Sequence, residues 1–306
     1  MTALVRRAFL GTVGNAYLLL IIAPLMWGGN SVAGRLATED WQPFTVTSLR
    51  WLLTCVFLLP FAIGPLRRDW PLLRQNLWLM FSLGAGGMAM FNLLMYWSLN
   101  YTTAINVSIE QASMPVFIML ANFIILSQRV RWMQIVGLLL TLFGVLVTAT
   151  AGEPARFFTE GLNRGDAIML FGCLFYAAYT FGLRWRPAIH WMSFMWMIAL
   201  SAFIMTIPFA SWELSQGEFT MPGIKGWLVL LYVLIFPTVI SQLAYARGVE
   251  LLGSNRAGLF VNLVPIFGSL LAVLILGERF HWYHLAGLLL VLAGIALAER
   301  AAGRQR

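Results

Sequence analysis

Ten apolar runs of about 20 residues follow one another along this chain, and they restrict its possible folds more than any other feature. A run of this length crosses the hydrocarbon core of a bilayer as a helix, because a helix satisfies its own backbone hydrogen bonds there. The sequence therefore predicts an all-α integral membrane protein with ten transmembrane helices. The runs lie at 16–37, 44–64, 76–99, 103–126, 132–151, 165–185, 190–210, 225–247, 255–276 and 282–299.

Charge is too scarce for a water-facing surface. The chain is 60% hydrophobic and 10% charged, whereas soluble domains carry roughly 25% charged residues. The net charge of +8 comes almost wholly from arginines that stand in ones and twos between the apolar runs, so no basic stripe could follow a phosphate backbone. We expect the lipid bilayer and a small-molecule substrate as partners, no nucleic acid, and a monomer.

The arginines predict the orientation of the chain in the membrane. With the N-terminus inside, fourteen basic residues fall in cytoplasmic segments and four in the opposite ones, which agrees with the positive-inside rule. The four are Arg156, Arg164, Lys225 and Arg279. We therefore expect a multi-pass protein of the bacterial inner (plasma) membrane with cytoplasmic N- and C-termini.

The second half of the sequence repeats the first at an offset of about 150 residues. Matched pairs include Pro115 and Pro265, Arg129 and Arg279, Trp132 and Trp282, Gly137 and Gly287, Gly144 and Gly294, and Arg35 and Arg184. The repeats occupy 1–151 and 160–300. Each holds five predicted spans, an odd number, so the second must be inverted in the membrane. Two inverted five-helix repeats are typical of transporters that open a central site alternately to each side.

The chain also resembles a known superfamily. The ten spans in two repeats, Trp27-Gly28-Gly29-Asn30 in span 1, Pro265 in span 9 and the Gly277-Glu278-Arg279 junction are similar to the drug/metabolite transporters, specifically the EamA-type exporters of amino acids and small metabolites. The first repeat has Ser127-Gln128-Arg129 at the matching junction. The resemblance implies a central cavity lined by spans 1, 3, 4, 6, 8 and 9, with spans 5 and 10 at the periphery.

Polar and aromatic side chains inside these spans are candidates for the cavity wall, since polar groups in a span usually face a cavity or a partner helix. They are Trp27, Asn30, Asn92, Tyr96, Glu110, Gln111, Tyr176, Tyr179, Gln242, Tyr245 and Asn262. Aromatic walls with amide and hydroxyl groups suit a neutral or zwitterionic amphipathic solute. The alternative is that these residues only hydrogen-bond one helix to another.

Glu110 is the acid that lies deepest in a predicted span, and two interpretations of it stay open. It carries a proton or anchors a substrate ammonium group, or it forms a structural ion pair with Arg50 or Arg35, which we place at a similar depth. The sequence favours the ion pair.

These features together predict an alternating-access exporter of small neutral or amphipathic metabolites, most simply amino acids, including aromatic or hydrophobic ones. A multidrug or lipid-like solute exporter is the alternative within the transporter class. A membrane-embedded enzyme would need a catalytic cluster, and we find none, so we expect no enzyme, no catalytic residues and no cofactor. His190, His281 and His284 stand at span ends and predict no metal site. The exact solute, the energy coupling and the direction of transport stay open.

Overall fold

A computed structural model describes residues 15–127, 131–159, 161–217 and 221–303. Ten long helical segments follow in order along this described part of the chain, which contains no strand. They are α1 (Ala16–Ala37), α2 (Pro43–Leu73), α3 (Leu77–Ser98), α4 (Ala104–Leu126), α5 (Trp132–Ala149), α6 (Arg164–Trp185), α7 (Trp191–Ser215), α8 (Ile224–Leu252), α9 (Ser254–Val261 continued by Val264–Leu276) and α10 (Trp282–Gly303).

Eight of these segments, α1 to α8, are long and apolar enough to cross a membrane. The apolar parts of the last two, Val264–Leu276 and Trp282–Ala298, are shorter. Large apolar side chains such as Phe57, Ile124 and Leu274 are exposed along the helices, as expected where lipid is the solvent. The prediction of an all-helical, multi-pass membrane protein is confirmed, with eight candidate spans among the described residues. The count of ten stays a prediction.

Several helices are longer than the apolar runs that predict them. The second predicted span ends at 64, but α2 has 31 residues and continues to Leu73. Likewise α8 continues to Leu252, beyond the predicted end at 247. Hydropathy marks only the part of a helix that lies in hydrocarbon. Residues such as Arg67 and Arg68 extend the same helix into the interface, where long basic side chains reach water.

Side-chain caps fix where several helices begin. Asn15 accepts a hydrogen bond from the Leu18 amide (3.2 Å) at the start of α1, and Thr103 accepts one from the Asn106 amide (3.1 Å) at the start of α4. The Asn163 side chain accepts from the Gly165 amide (2.7 Å) at α6. Each cap satisfies an amide that has no partner inside the first helical turn.

Besides a 3-10 turn at the end of α6, Leu183–Trp185, four interior segments depart from regular α-helix, and these four come in two corresponding pairs. α3 contains a π-helical stretch at Leu83–Met90, and α8 contains one at Leu234–Ile240. α4 is interrupted by a 3-10 turn at Gln111–Ser113, and α9 is interrupted at 262–263. The members of each pair are about 150 residues apart, so both halves break their helices at matching places.

The core lies between α1, α3, α4, α6, α8 and α9, where side chains such as Val32, Tyr96, Ile105, Met169 and Leu230 form one buried cluster. α5 and α10 pack closely against each other, as do α2 and α7. The α2–α7 contact is capped at both of its ends by acids. Glu213 of α7 accepts hydrogen bonds from the amides of Phe44 (3.2 Å) and Thr45 (2.6 Å), and Asp69 of α2 accepts one from the His190 amide (2.9 Å).

Candidate functional site

The most unusual polar group in the core is the guanidinium of Arg50 on α2, a residue that is only 3% exposed. Its Nη1 donates to Asn92 Oδ1 (2.7 Å), Tyr96 Oη (2.9 Å) and, more weakly, Asn30 Oδ1 (3.3 Å). Its Nε and Nη2 both donate to Thr238 Oγ1, at 3.0 and 2.7 Å. We call Arg50, Asn30, Asn92, Tyr96 and Thr238 the Arg50 cluster. It joins α1, α2, α3 and α8.

The neighbours of Arg50 are held in orientations that leave their oxygens for the cation. The Asn92 amide nitrogen donates to the Met88 carbonyl (2.7 Å), which turns Asn92 Oδ1 towards the guanidinium. The Tyr96 hydroxyl donates to Asn30 Oδ1 (2.9 Å) and so offers its lone pairs to Arg50. The Thr238 hydroxyl donates to the Val233 carbonyl (2.7 Å), five residues earlier, within the π-helical stretch of α8.

All these partners are neutral, so the Arg50 cluster keeps a full positive charge. The salt bridges among the described residues are Arg156–Glu153, Lys225–Glu39 and Arg247–Glu250, and their side chains are well exposed. Nη2 of Arg50 carries two hydrogens, but it donates only to Thr238 within the described chain. A buried cation with no anion beside it and donor capacity left over is a suitable partner for a carboxylate.

The predicted ion pair of Glu110 with Arg50 or Arg35 is wrong. Arg50 binds the neutral acceptors above, and the Arg35 guanidinium donates to the Leu99 carbonyl. Glu110 instead lies beside Asp166 of α6. The prediction failed because hydropathy gives the depth of a residue in a span but not the direction in which its side chain points. α2 packs on α7 and α3, whereas α4 packs on α9 and α6.

Glu110 and Asp166 form a second buried polar site. Glu110 is fully buried, Asp166 is 1% exposed, and the two carboxyl groups interact electrostatically. Thr102 Oγ1 and Asn106 Nδ2 both donate to Asp166 Oδ1, whereas neither carboxyl oxygen of Glu110 has a hydrogen-bond partner among the described residues. The Cys173 thiol donates to the backbone carbonyl of Glu110 (3.6 Å). We call Glu110 and Asp166 the acid pair.

The structure brings the predicted aromatic residues together in pairs. The rings of Trp27 and Tyr245 are 5.3 Å apart, and those of Tyr176 and Tyr179 are 5.7 Å apart. Tyr176 also contacts Phe91, at 5.1 Å. These contacts connect α1 with α8, and α6 with α3. Aromatic side chains therefore lie on α1, α3 and α8, which carry members of the Arg50 cluster, and on α6 beside α3.

Three predicted amides differ in what the structure shows of them. Gln111 Nε2 donates to Ser31 Oγ (3.0 Å), which links α4 to α1 next to Asn30. Gln242 is partly buried on α8, in the helical turn that precedes Tyr245. Asn262 lies at the interruption of α9. Of the predicted residues, Asn30, Asn92 and Tyr96 thus meet in the Arg50 cluster.

The sequence interpretation missed Thr238 and Asp166. Thr238 directly follows Pro237 inside an apolar run, and a hydroxyl beside a helix-disturbing proline was an available signal. Asp166 is three residues after the Asn163 cap, so it looked like part of a solvated span end. Glu278 of the Gly277-Glu278-Arg279 junction accepts hydrogen bonds from the amides of Ala104 (2.9 Å) and Ile105 (3.0 Å) and caps α4.

Comparison with known proteins places the two halves of the chain in the same family. The sequence model of the EamA-like transporter family matches residues 14–150 and again 163–299. The chain is 24% identical to "Uncharacterized transporter YetK" of Bacillus subtilis, over 92% of this chain and 86% of that protein. It is 26% identical to a protein of Streptantibioticus cattleyicolor named "Probable terminal-alkyne amino-acid exporter", over 94% of each chain.

Similarity to a solved structure supports the fold. That structure is described only as "Crystal structure of protein", and it aligns with a TM-score of 0.60 at 18% identity, covering 94% of this chain and 98% of the other. At this identity the likeness supports the fold alone.

Proposed function

Because the chain belongs to the EamA-like transporter family, we propose that it exports small amphipathic solutes that carry a carboxylate, foremost amino acids with hydrophobic or aromatic side chains. The observation that carries this proposal is the buried, uncompensated charge of Arg50. A carboxylate that reaches the cluster accepts hydrogen bonds from Arg50 and replaces neutral partners with an opposite charge. The Trp27–Tyr245 pair on α1 and α8 and the Tyr176–Tyr179 pair on the adjacent α6 provide an apolar wall for the side chain of the solute.

The proposal includes ten spans in two inverted repeats in the bacterial inner membrane. The matching π-helical stretches and helix interruptions support it, as do the acids that cap both ends of the α2–α7 contact. Inverted halves can exchange conformations, so that the Arg50 cluster opens to one side and then to the other. The name of the Streptantibioticus relative agrees with an amino-acid solute. We call the side of the membrane opposite both chain termini the distal side.

The test is exchange of labelled phenylalanine across proteoliposome membranes by the wild type, Arg50→Gln and Arg50→Lys. We expect Arg50→Gln to slow exchange by about tenfold to a hundredfold, because a hydrogen bond to a charged group contributes about 1.5–3 kcal/mol. Arg50→Lys should recover part of the rate, since it keeps the charge but loses the planar fork of donors. Arg156→Gln, at an exposed ion pair, is the matched control and should exchange normally.

A second probe separates recognition from folding. Phenylalaninol has the same ring and amine as phenylalanine but no carboxylate. We expect the wild type to prefer phenylalanine and Arg50→Gln to lose that preference. Equal losses for both probes would make Arg50 a purely structural residue, and no exchange of any amino acid by the wild type would refute the proposed function.

A lipid-like solute is the second candidate, and one feature favours it. An apolar groove of about 450 Å³ runs between α2, α3 and α7, lined by Phe44, Trp97, Pro208, Phe209 and Trp212. A solute that enters sideways from the membrane would use such a groove. In that case Phe209→Trp, which narrows the groove, should impair transport of lipophilic cations more than Arg50→Gln does.

A further inference from the structure

The acid pair lies on α4 and α6, which carry no member of the Arg50 cluster, and its burial is costly. Glu110 of α4 and Asp166 of α6 are removed from solvent, and a buried carboxylate needs a cation or several hydrogen-bond donors to remain ionised. Asp166 has two donors on one oxygen, from Thr102 and Asn106. Glu110 has none among the described residues on either oxygen. A proton on Glu110 would satisfy this arrangement, because the acid could then donate to Asp166.

The helices around Glu110 bring no cation to it in the described chain. The Val264–Leu276 part of α9 and the whole of α5 contain no ionisable residue. α6 brings Asp166 and the Cys173 thiol to Glu110. The two arginines of α6 are engaged elsewhere, since the Arg164 guanidinium lies over the rings of Trp97 and Tyr101 and Arg184 donates to the Asn122 side chain. From α1, Arg35 donates to the Leu99 carbonyl. From α10, His284 Nδ1 accepts from the His281 amide. Two ionised carboxylates would therefore repel each other across the α4–α6 contact without compensation.

The corresponding place in the other repeat shows that the fold itself does not require acids here. At the offsets of the matched residues, Glu110 corresponds to Phe260 and Asp166 to Tyr17. The rings of Phe260 and Tyr17 also contact each other, at 6.1 Å. The same pair of helical positions is thus closed by an aromatic contact at one end of the molecule and by a carboxyl contact at the other. Of these two contacts, the carboxyl contact is the one that adding or removing a proton near neutral pH would change.

We propose that Glu110 and Asp166 together bind one proton, and that this proton holds α4 against α6 and keeps the distal side closed. Loss of the proton leaves two carboxylates that repel each other, so the α4–α6 contact opens. In the alternating-access cycle of the proposed function, on which this transport role rests, a proton taken up from the distal side closes that side behind the released solute. Its release to the cytoplasm completes the exchange of one proton for one solute.

The first test needs no solute. Infrared spectra of the purified protein in detergent should contain the C=O stretching band of a protonated carboxylic acid at neutral pH. We expect Glu110→Gln to remove the band and Asp166→Asn to remove or shift it. Glu250→Gln, at an exposed ion pair, should leave it unchanged. Absence of the band from the wild type, or its survival in Glu110→Gln, would overturn the proposal.

The second test follows thermal stability against pH. The folded pair holds a proton that the unfolded carboxyls give up at the same pH, so the melting temperature of the wild type should fall as the pH rises through the range in which the infrared band disappears. Glu110→Gln carries a permanent neutral group and should lose this fall. Asp166→Asn provides the same readout if Glu110→Gln does not fold. If the melting temperature of folded Glu110→Gln or Asp166→Asn falls with rising pH as much as that of the wild type, the pair does not bind the proton.

The third test is transport. An inward proton gradient should stimulate phenylalanine efflux from wild-type proteoliposomes, and Glu110→Gln should lose that stimulation. If the wild type moves no amino acid, the proposed function fails, while the infrared and stability tests still decide whether the pair binds a proton. If the pair binds a proton but the gradient has no effect, the proton closes the contact without driving transport, and the coupling is refuted.

Discussion

Gly137 of α5 lies so close to Gly294 of α10 that a Cβ atom on Gly137 would be 2.4 Å from the Gly294 carbonyl oxygen. Gly144 approaches Gly287 in the same way, at 2.7 Å. In the sequence repeat, Gly137 corresponds to Gly287 and Gly144 to Gly294. Each glycine therefore meets the counterpart of the other one, which is the pattern that a two-fold axis between α5 and α10 would produce.

This contact predicts which glycines tolerate a side chain. Gly137→Ala should lower the free energy of unfolding by about 1–3 kcal/mol, because the added methyl group would force the two helix backbones apart. Gly64 in α2 is the matched control, since a Cβ there has no atom within 4 Å, and Gly64→Ala should be neutral or stabilising by up to about 1 kcal/mol. Thermal unfolding in detergent measures both. Equal melting temperatures for the two variants would contradict a close α5–α10 contact.

Substitutions at the residues that follow α4 and α9 should have opposite effects on stability. Ser127 and Gly277 both follow their helices in the left-handed region, with φ of 53° and 68°. Serine is strained there and glycine is not, so Ser127→Gly should stabilise the protein by about 0.5–1 kcal/mol. Gly277→Ser should destabilise it by a similar amount. If both substitutions shift the melting temperature in the same direction, the two junctions do not share this conformation.

Removal of the Glu278 carboxylate, in the junction that resembles the EamA-type exporters, should lower the stability of the protein. The carboxylate accepts from two amides at the start of α4, so Glu278→Ala should cost about 1–2 kcal/mol, as expected for the loss of an N-terminal cap. Glu250→Ala removes an exposed acid and should change stability by less than about 0.5 kcal/mol. Chemical or thermal unfolding of both variants tests the difference. A Glu278→Ala protein as stable as Glu250→Ala would exclude the cap.

The orientation of the chain has its own test. Reporter proteins fused after Arg306 and within 211–224 should report the cytoplasm and the opposite side respectively, because the predicted ten-span topology puts fourteen of the basic residues outside the spans on the side of the termini. Reporters in 152–164 should agree with those in 211–224. Finding the first two reporters on the same side would refute ten spans.

The sequence predicted most of the fold, because the cost of burying an unpaired backbone in lipid makes hydropathy a strong signal. It did not predict the local breaks. In the sequence, glycines are the one signal that marks the π-helical stretch Leu83–Met90. Glycines in membrane helices more often allow close helix packing than a change in the backbone hydrogen-bonding pattern. The interruption of α9 beside Asn262 likewise lies inside one continuous apolar run.

The site was predictable in part for a related reason. Asn30, Asn92 and Tyr96 were identified because polar residues in lipid-embedded helices point inward, and they do meet at Arg50. The partners of Arg50 and Glu110 were not identified, because which side chains meet depends on the rotation of each helix about its axis. A shift of one residue turns a side chain by about 100°, and hydropathy does not resolve that angle in helices that are apolar all round.

The acids at the two ends of the α2–α7 contact limit how the halves of the protein can move. Sliding α7 along α2 by one helical turn, about 5.4 Å, would pull Glu213 away from the amides of Phe44 and Thr45 and Asp69 away from that of His190 at the same time. Tilting one helix against the other about the middle of the contact displaces its two ends most, so it would separate the same two caps. The geometry thus favours movement of α2 and α7 together as one unit and opposes a piston-like translation of either helix past the other.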